Sequence, residues 1–310
     1  MNKIVFLDEY SIAGRDISKV SKQGDYTAYE NTRKEDVVER LKGATIAISN
    51  KVMIDGEAMR QLPDLKLICV AATGMNNVDL VTAKELGIEV KNAVGYSTSA
   101  VAETTLASAL ALARHIVYFD EYFHDGRYAN ADRAFCFDRL TFEIRGKKWG
   151  IVGLGNIGRE VARLATAFGC EVRYFSTSGA KREEAYPAME LNELLEWSDI
   201  LSVHSPLNER TRGLIGREEL KRMKPSAMII NVARGGIIDE AALAEALDNG
   251  WISAAALDVF SVEPLRESPL YNIKDRYRLL GSPHNAWAAS EAIDRLIDCV
   301  AENIRTFLAR

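Results

Sequence analysis

The sequence predicts an α/β protein of two domains, each built around a parallel β-sheet. Its 310 residues exceed the usual size of one domain, and 47% of them are hydrophobic. Short apolar runs alternate with helical patterns along the chain, which is the arrangement of βαβ units. The runs are apolar almost without interruption, as in strands that helices cover on both faces.

Five such runs predict the strands of the first half of the chain. They are Ile4–Leu7, Thr27–Tyr29, Ala44–Ser49, Leu67–Ala72 and Ile88–Val90. Helical patterns at Lys34–Leu41 and Val81–Leu86 lie between strands. This order predicts a first parallel sheet with helical crossovers.

The second half begins with one long helical pattern, from about Ser97 to Tyr122, and a polar loop that ends near Leu140. Strands are then predicted at Trp149–Val152, Glu171–Phe175, Ile200–His204, Ala227–Val232, Ser253–Val259 and Arg278–Leu280. A closing helix is predicted by the spacing of Ile293, Leu296, Ile297, Val300, Ile304 and Leu308. The domain boundary is expected close to Tyr96–Ala100.

The composition argues against several classes of partner. The net charge of -5 leaves no basic excess for nucleic acid or a membrane surface. The apolar run near the start is too short for a signal peptide, and no apolar stretch of about 20 residues predicts a membrane span. The four cysteines (Cys69, Cys136, Cys170 and Cys299) form no CxxC pair, which favours a reduced, cytoplasmic protein without disulfides or a metal site.

A glycine motif, Gly153-Leu154-Gly155-Asn156-Ile157-Gly158, stands between a strand-like and a helix-like segment. In that context the first glycine permits a tight turn, and the second lets the backbone approach a pyrophosphate. The third lets helix and strand pack closely, while the helix N-terminus binds the anion. The motif predicts a dinucleotide-binding fold. The alternative is a glycine-rich turn without a ligand.

The usual acidic residue is missing from the end of the second strand of this fold. An Asp or Glu about 20 residues after the motif ordinarily binds the ribose 2′-hydroxyl of NAD. Here Phe175 is followed by Ser176-Thr177-Ser178, and then by Lys181 and Arg182. Hydroxyls and positive charge favour the 2′-phosphate of NADP(H). If the two basic side chains point into solvent instead, the site would accept either NAD or NADP.

Three predicted strand ends carry a further set of polar side chains: Arg234 in NVARGG, Asp258 and Glu263 in ALDVFSVEP, and His284 in SPHNAW. Ligands bind at the carboxyl ends of parallel strands. Arginine can hold a carboxylate through two hydrogen bonds. Histidine can protonate the oxyanion that hydride transfer to a carbonyl leaves, and a nearby carboxylate stabilises the imidazolium. The set predicts a redox site for a small 2-hydroxy acid, with Arg234, Glu263 and His284 as catalytic residues.

Each of these residues also has a structural alternative. Arg234 could cap a helix, Asp258 could shape a turn, Glu263 could be a solvent-exposed charge, and His284 could be buried against backbone. His115 lies in the long helical pattern and is interpreted as structural. His204 follows a strand and is expected to line the cofactor site.

Together these segments resemble the D-isomer-specific 2-hydroxyacid dehydrogenase family. The similarity spans essentially the whole chain and includes GLGNIG, HSPLNERTRGLI, NVARGGIIDE, ALDVFSVEPL and SPHNAWAASEA. Within the family, glycerate dehydrogenases and hydroxypyruvate reductases are similar at Asn50-Lys51, Phe135-Cys136 and Trp287. The resemblance implies reduction of hydroxypyruvate or glyoxylate to glycerate or glycolate, with NAD or NADP as cofactor.

The resemblance also implies roles for individual residues. Ala72, Thr73 and Gly74 would bind the substrate carboxylate through backbone N–H groups, together with Arg234, His284 and Trp287. Asp258 would face the nicotinamide. The implied cofactor contacts are Thr104, Gly153, Gly155, Asn156, Ile157, Gly158, Ser176, Thr177, Ser178, Lys181, His204, Ser205, Pro206, Thr211, Val232, Ala233, Arg234, Asp258 and His284.

The implied architecture is a Rossmann-type, doubly wound dinucleotide-binding domain at 99–285. A smaller, flavodoxin-like substrate domain would comprise 1–98 with 286–310, with the active site in the cleft and a homodimer as the assembly. Two other functions remain open. One is a dinucleotide-sensing corepressor on the same scaffold. The other is formate dehydrogenase, which pairs its histidine with glutamine, where this chain has Glu263.

Overall fold

The computed structural model describes residues 2–179 and 184–310. The chain divides into two compact units. The first comprises the residues up to Ser97 together with Ala288–Arg310, and the second comprises Thr98–Trp287.

The first unit contains a sheet of five parallel strands. They are β1 (Lys3–Phe6), β2 (Asp25–Ala28), β3 (Ile46–Ser49), β4 (Leu67–Val70) and β5 (Glu89–Asn92). Their order is β2-β1-β3-β4-β5, which is the flavodoxin-like order that was predicted. The edge strand β2 begins at Asp25, two residues before the predicted start at Thr27.

Helices cover this sheet and join its strands. They are α1 (Ser18–Ser21), α2 (Val37–Leu41), α3 (Gly56–Arg60), α4 (Leu80–Glu85) and the C-terminal helix (Ser290–Leu308). The predicted apolar face of the C-terminal helix is buried from Ile293 to Ile304. Arg295 Nε donates to the Tyr96 carbonyl at 2.8 Å and Asn303 Nδ2 to the Asn92 carbonyl at 3.1 Å, so the last helix is tied to the first unit.

The second unit contains a six-stranded parallel sheet. Its strands are β6 (Lys148–Val152), β7 (Glu171–Phe175), β8 (Ile200–Val203), β9 (Met228–Asn231), β10 (Ala254–Leu257) and β11 (Leu279–Gly281). Their order is β11-β10-β9-β8-β6-β7, and an isolated parallel bridge pairs Tyr174 with Ala188 beyond β7. Counting that bridge as a strand yields the doubly wound order 3-2-1-4-5-6-7, so the predicted Rossmann-type topology is confirmed.

The helices of the second unit are α5 (Thr98–Ala113), α6 (Ile116–His124), α7 (Asn156–Ala167), α8 (Leu191–Trp197), α9 (Arg217–Arg222) and α10 (Glu240–Asn249). The prediction of one helix from Ser97 to Tyr122 was wrong. The chain breaks between α5 and α6, which meet at a bend of 62°. His115 adopts a left-handed backbone with φ of 49°, so this residue ends one helix and begins the next instead of lying inside a helix.

Residues 116–145, here called the arm, comprise α6 and the loop that follows it. The loop contains neither helix nor strand, as predicted. Arg139 lies over the rings of Tyr118 and Tyr277 and forms a 2.8 Å ion pair with Asp275, so stacking and charge anchor the loop to the rest of the unit. Several large apolar side chains of the arm nevertheless stay exposed, including Phe135 (75%), Phe137 (74%) and Leu140 (76%).

Among the helices in the described ranges, none alone is long and apolar enough to cross a membrane. The bent pair of α5 and α6 passes the same test of length and composition. The described residues contain no group of three or more histidine, cysteine or acidic side chains that could hold a metal ion. All four cysteines are free thiols, and burial raises the pKa of Cys170 to about 11.

Candidate active site and dinucleotide cradle

The three glycines of the turn after β6 have the distinct geometries that the motif requires. Gly153 has a φ of 93°, which other residues rarely adopt. A Cβ on Gly158 would lie 2.3 Å from the Gly153 carbonyl oxygen, so only glycine lets α7 pack this closely on the turn. A Cβ on Gly155 would meet no atom of the described residues within 4 Å. The second glycine is therefore not required by packing, and the space beside it suits an approaching pyrophosphate.

A pocket of about 180 Å³ lies over this turn, at the carboxyl ends of β6, β7 and β8. Because β7 and β8 flank β6 on opposite sides, the pocket lies where the strand order reverses, the usual ligand position in such sheets. Among the described residues, no side-chain hydrogen bond caps the N-terminus of α7, which leaves that end for an anion. The pocket is lined by Gly153, Leu154, Gly155, Tyr174, Ser176, Thr177, Ser178, Glu184, His204, Ser205 and Pro206.

Two buried polar atoms on the pocket wall have no hydrogen-bond partner in the described part of the chain: Nδ1 of His204 and Oγ of Ser205. Such atoms are rare unless a ligand or water satisfies them. Trp149 Nε1 donates to Ser202 Oγ at 2.9 Å, and that hydroxyl lies 3.0 Å from Nε2 of His204.

Among the described residues, Nε2 of His204 is the one acceptor within reach of the Ser202 hydroxyl, so the hydroxyl donates a hydrogen bond to Nε2. The proton of the neutral imidazole therefore lies on Nδ1. Burial lowers the pKa of His204 to about 3, so the ring is a neutral donor near pH 7. The open space at Gly155 and these unsatisfied polar atoms fit a bound dinucleotide.

Three hydroxyl-bearing residues that follow β7 line the pocket: Ser176, Thr177 and Ser178. Ser176 Oγ lies 3.4 Å from Ser178 Oγ. Lys181 and Arg182, which were predicted to supply positive charge, lie outside the described residues. Their contribution stays a prediction.

Three charged residues near this pocket were missed by the sequence analysis: Arg159, Glu184 and Arg210. Glu184 lines the pocket and accepts both guanidinium hydrogen bonds of Arg159, one of them at 3.0 Å. Arg210 Nη1 donates to the Ser178 carbonyl at 3.1 Å. Glu184 follows β7 by nine residues and returns beside it because the Tyr174–Ala188 bridge folds the chain back, which no local pattern indicated.

The second predicted cluster joins the loops after β10 and β11. His284 Nδ1 lies 2.7 Å from Glu263 Oε2, and the side chains are 22% and 31% exposed. Glu263 Oε1 also accepts the Phe260 N–H at 3.0 Å, which fixes the carboxylate plane. Since Glu263 holds Nδ1, Nε2 is the ring nitrogen that can exchange a proton with a substrate. Two residues that lie 21 positions apart therefore form a histidine–carboxylate pair.

Asp258 shapes the loop that carries His284. Its buried carboxylate accepts the Ser282 hydroxyl at 2.5 Å and the backbone N–H groups of Asn285 and Ala286 at 2.8 and 2.9 Å. The Asp258 carbonyl accepts the His284 N–H at 2.8 Å. His284 adopts a left-handed backbone with φ of 58°, uncommon for histidine, and these bonds hold that conformation. Asp258 therefore holds the loop that positions His284. The sequence analysis had instead expected Asp258 to face the nicotinamide or to shape a turn, and had not predicted this link to His284.

Hydrogen bonds of the Asn231 side chain hold the turn that carries Arg234. Asn231 accepts the Ala233 N–H at 3.0 Å and donates to the Arg234 carbonyl at 2.9 Å. A Cβ on Gly235 would lie 1.9 Å from backbone atoms of Phe260, so glycine lets this turn pack against the loop that contains Glu263. The half-buried Arg234 side chain donates to the Ala233 carbonyl at 2.6 Å. No side chain holds its guanidinium in an ion pair within the described ranges.

The remaining predicted cofactor residues differ in accessibility. Asn156 is exposed and Ile157 half-buried at the start of α7. Thr104 Oγ1 lies 3.4 Å from the Ala286 carbonyl, beside the loop of His284. Val232 and Ala233 are buried. Trp287, which was predicted to bind substrate, packs against the core of the unit. Thr211 is fully buried, and its hydroxyl donates to the Pro206 carbonyl at 2.7 Å, so it shapes the loop and does not line the pocket.

The loop that was predicted to bind the substrate carboxylate follows β4 in the first unit. Thr73 is exposed, with its hydroxyl donating to the Ala93 carbonyl at 3.0 Å, while Ala72 and Gly74 are half-buried. The N–H groups of Thr73 and Gly74 make no backbone hydrogen bond among the described residues, which suits an anion. Another residue of the first unit, Asp8, was missed by the sequence analysis; it is fully buried and accepts the backbone N–H groups of Asn50, Lys51 and Val52. Burial raises the pKa of this carboxyl.

A doubly wound domain with a pyrophosphate cradle and a histidine–carboxylate pair defines a dinucleotide-dependent oxidoreductase. Residues 106–286 match the family model "D-isomer specific 2-hydroxyacid dehydrogenase, NAD binding domain". The chain is 39% identical over 312 residues to a glycerate dehydrogenase from Methylorubrum extorquens, with 99% of this chain and 96% of that relative covered.

Two solved structures have the same fold. One is an NADPH-dependent glyoxylate/hydroxypyruvate reductase from Sinorhizobium meliloti in complex with citrate, at TM-score 0.87 and 25% identity over 99% of this chain and 95% of that chain. The other is D-lactate dehydrogenase from Aquifex aeolicus complexed with NAD and lactic acid, at TM-score 0.85 and 25% identity over 99% and 96%. The chain belongs to the D-isomer-specific 2-hydroxyacid dehydrogenase family, and its cofactor is a nicotinamide dinucleotide.

Proposed function

We propose that this enzyme reduces hydroxypyruvate, and glyoxylate as a smaller second substrate, to D-glycerate and glycolate. The observation that carries the proposal is the 2.7 Å contact between His284 Nδ1 and Glu263, in the same unit as the dinucleotide cradle. The glycerate dehydrogenase and the glyoxylate/hydroxypyruvate reductase among its relatives support this substrate class.

The reaction consumes one 2-keto acid, one hydride and one proton. A bound reduced nicotinamide would supply the hydride for the carbonyl carbon. His284 protonates the resulting oxyanion from Nε2, while Glu263 stabilises the ring through Nδ1. Arg234 binds the carboxylate and polarises the carbonyl, because its planar guanidinium can donate two parallel hydrogen bonds.

The two units then have different roles. We assign dinucleotide binding to the second unit and substrate recognition to the first. We place the enzyme in the cytoplasm because its four thiols are free and two of them, Cys69 and Cys170, are buried.

We further propose a preference for NADP(H) over NAD(H). The end of β7 offers the hydroxyls of Ser176, Thr177 and Ser178 where an acidic residue would repel a 2′-phosphate. The only carboxylate that lines the pocket within the described ranges is Glu184, and Arg159 neutralises it. Use of both cofactors is the alternative, and equal kcat/KM values for NADPH and NADH would favour it.

The arm supports assembly as a homodimer. Phe135, Phe137 and Leu140 are each about three-quarters exposed, and monomeric proteins seldom expose such apolar clusters without a partner. A second copy of this chain is the proposed occupant. The double variant Phe135→Ser/Phe137→Ser should sediment as a monomer, whereas the exposed-site control Val81→Ser should not change the mass. A monomeric wild-type protein at micromolar concentration would contradict the proposal.

The substrate proposal is tested by steady-state kinetics with hydroxypyruvate, glyoxylate, pyruvate and branched or aromatic 2-keto acids, each with NADPH and NADH. Hydroxypyruvate should have the highest kcat/KM. A higher value for a bulky keto acid would overturn this assignment within the family. Absence of turnover with every keto acid, with dinucleotide binding intact, would favour the dinucleotide-sensing alternative.

A further inference from the structure

Arg210 connects the two loops that border the dinucleotide pocket. It lies in the loop after β8, and its Nη1 donates to the Ser178 carbonyl in the loop after β7 at 3.1 Å. These strands flank β6 on opposite sides, so the arginine crosses the carboxyl end of β6. The same guanidinium nitrogen would lie 3.7 Å from a Cβ on Gly179. A cation from one side of the pocket thus lies against the serine-rich segment on the other.

Of the two arginines near the serine-rich segment, Arg159 has a carboxylate partner and Arg210 has none within the described ranges. Arg159 and Glu184 form an ion pair with two hydrogen bonds, so they cancel locally. Arg210 contacts a neutral carbonyl, and within the described ranges it has no carboxylate partner. Its side chain is exposed, so it can reorient without loss of a buried contact. A phosphate is a stronger acceptor for a guanidinium than a peptide carbonyl, because its charge supports bidentate hydrogen bonding.

We propose that Arg210 is a cofactor-specificity residue that binds the 2′-phosphate of the adenosine ribose of NADP(H), together with the Ser176 and Ser178 hydroxyls. This inference deepens the proposed preference for NADP(H), and it does not depend on which keto acid the enzyme reduces. Arg210 comes from the loop after β8, whereas the positive charge predicted from the sequence was on Lys181 and Arg182, after β7.

The proposal is tested by calorimetric binding of two nucleotide fragments, adenosine 2′,5′-bisphosphate and 5′-AMP, to the full-length protein. The wild-type protein should bind the bisphosphate at least about tenfold more tightly, equivalent to about 1.4 kcal/mol. Arg210→Gln should lose most of this preference and keep its affinity for 5′-AMP. Arg210→Lys should keep part of it, because the charge remains. Arg212→Gln is the control, an exposed arginine two positions along the same loop.

Three results would overturn the proposal. The first is a wild-type protein that binds the two fragments equally. The second is an equal loss of affinity for both fragments in Arg210→Gln, which would show that the arginine only supports the loop. The third is a preference that survives Arg210→Gln and disappears in Lys181→Ala/Arg182→Ala. Since no keto acid is used, failure of the substrate assignment would leave this result unaffected.

Discussion

His284 Nδ1 lies 2.7 Å from Oε2 of Glu263, and Oε1 of the same carboxylate accepts the Phe260 N–H at 3.0 Å. Both carboxylate oxygens are thus engaged, and the imidazole is held with Nε2 as its exchanging nitrogen. If His284 supplies the proton, His284→Ala should lower kcat/KM for keto-acid reduction by roughly 100-fold or more. Fluorescence titration should show dinucleotide affinity within about threefold of wild type, since the glycine turn is untouched. Near-normal turnover in a folded variant would remove His284 from the proposed role.

Arg234 tests how the substrate carboxylate is held. Lysine keeps the charge but cannot donate two parallel hydrogen bonds from a planar group. We expect Arg234→Lys to raise KM and lower kcat together, because the carboxylate anchor also positions the carbonyl. Steady-state kinetics of the wild type and the variant with hydroxypyruvate would measure both changes. An unaffected variant would mean that Arg234 does not hold the substrate carboxylate.

Alanine substitutions at Gly155 and Gly158 should have different effects, one on dinucleotide affinity and the other on stability. The methyl group of Gly155→Ala would meet no atom within 4 Å in the part of the chain that the structure describes, so its thermal unfolding should resemble that of wild type. Its affinity for NADPH and NADH should nevertheless fall by about tenfold or more, since the methyl group occupies the pyrophosphate approach. Gly158→Ala would bring a Cβ within 2.3 Å of the Gly153 carbonyl oxygen, and we expect a clear drop in Tm before any ligand is added. Equal behaviour of the two variants would contradict the division of roles.

His204 should make folding stability depend on pH. Burial lowers its pKa from 6.5 to about 3, so below pH 6.5 the unfolded chain takes up a proton that the folded chain does not bind. Its contribution to stability is therefore fully present above pH 6.5 and is lost as the pH falls towards 3, by at most ~1.4 kcal/mol per pH unit.

Urea unfolding at pH 7 and pH 5 would measure this effect. His204→Gln should lose less stability between the two pH values than wild type. His124→Gln, at an exposed histidine, serves as the control and should follow the wild type. Identical pH slopes for wild type and His204→Gln would show that this ring does not remain neutral in the folded protein.

Much of the fold follows from local patterns. Parallel strands that are covered on both faces must be apolar throughout, so runs such as Leu67–Val70 and Met228–Asn231 were recognisable from the sequence. The glycine motif was equally informative, because Gly153 and Gly158 meet conformational and packing demands that other residues fail, while the space beside Gly155 suits a ligand. The break at His115 was not predictable, since the apolar pattern continues through it and only its left-handed backbone separates the helices.

The sequence by itself determined which residues stand at strand ends, because topology brings the carboxyl ends of parallel strands to one edge. It thereby predicted Arg234, Glu263 and His284 as a catalytic set. Only the tertiary structure decided which groups contact one another, such as His284 and Glu263. Asp258 proved to hold the His284 loop. Asp8 holds the Asn50–Val52 backbone. Arg210 reaches Ser178 across β6 from 32 positions away. Such contacts depend on how separate loops fold back over a sheet, and hydrophobic periodicity carries no information about that path.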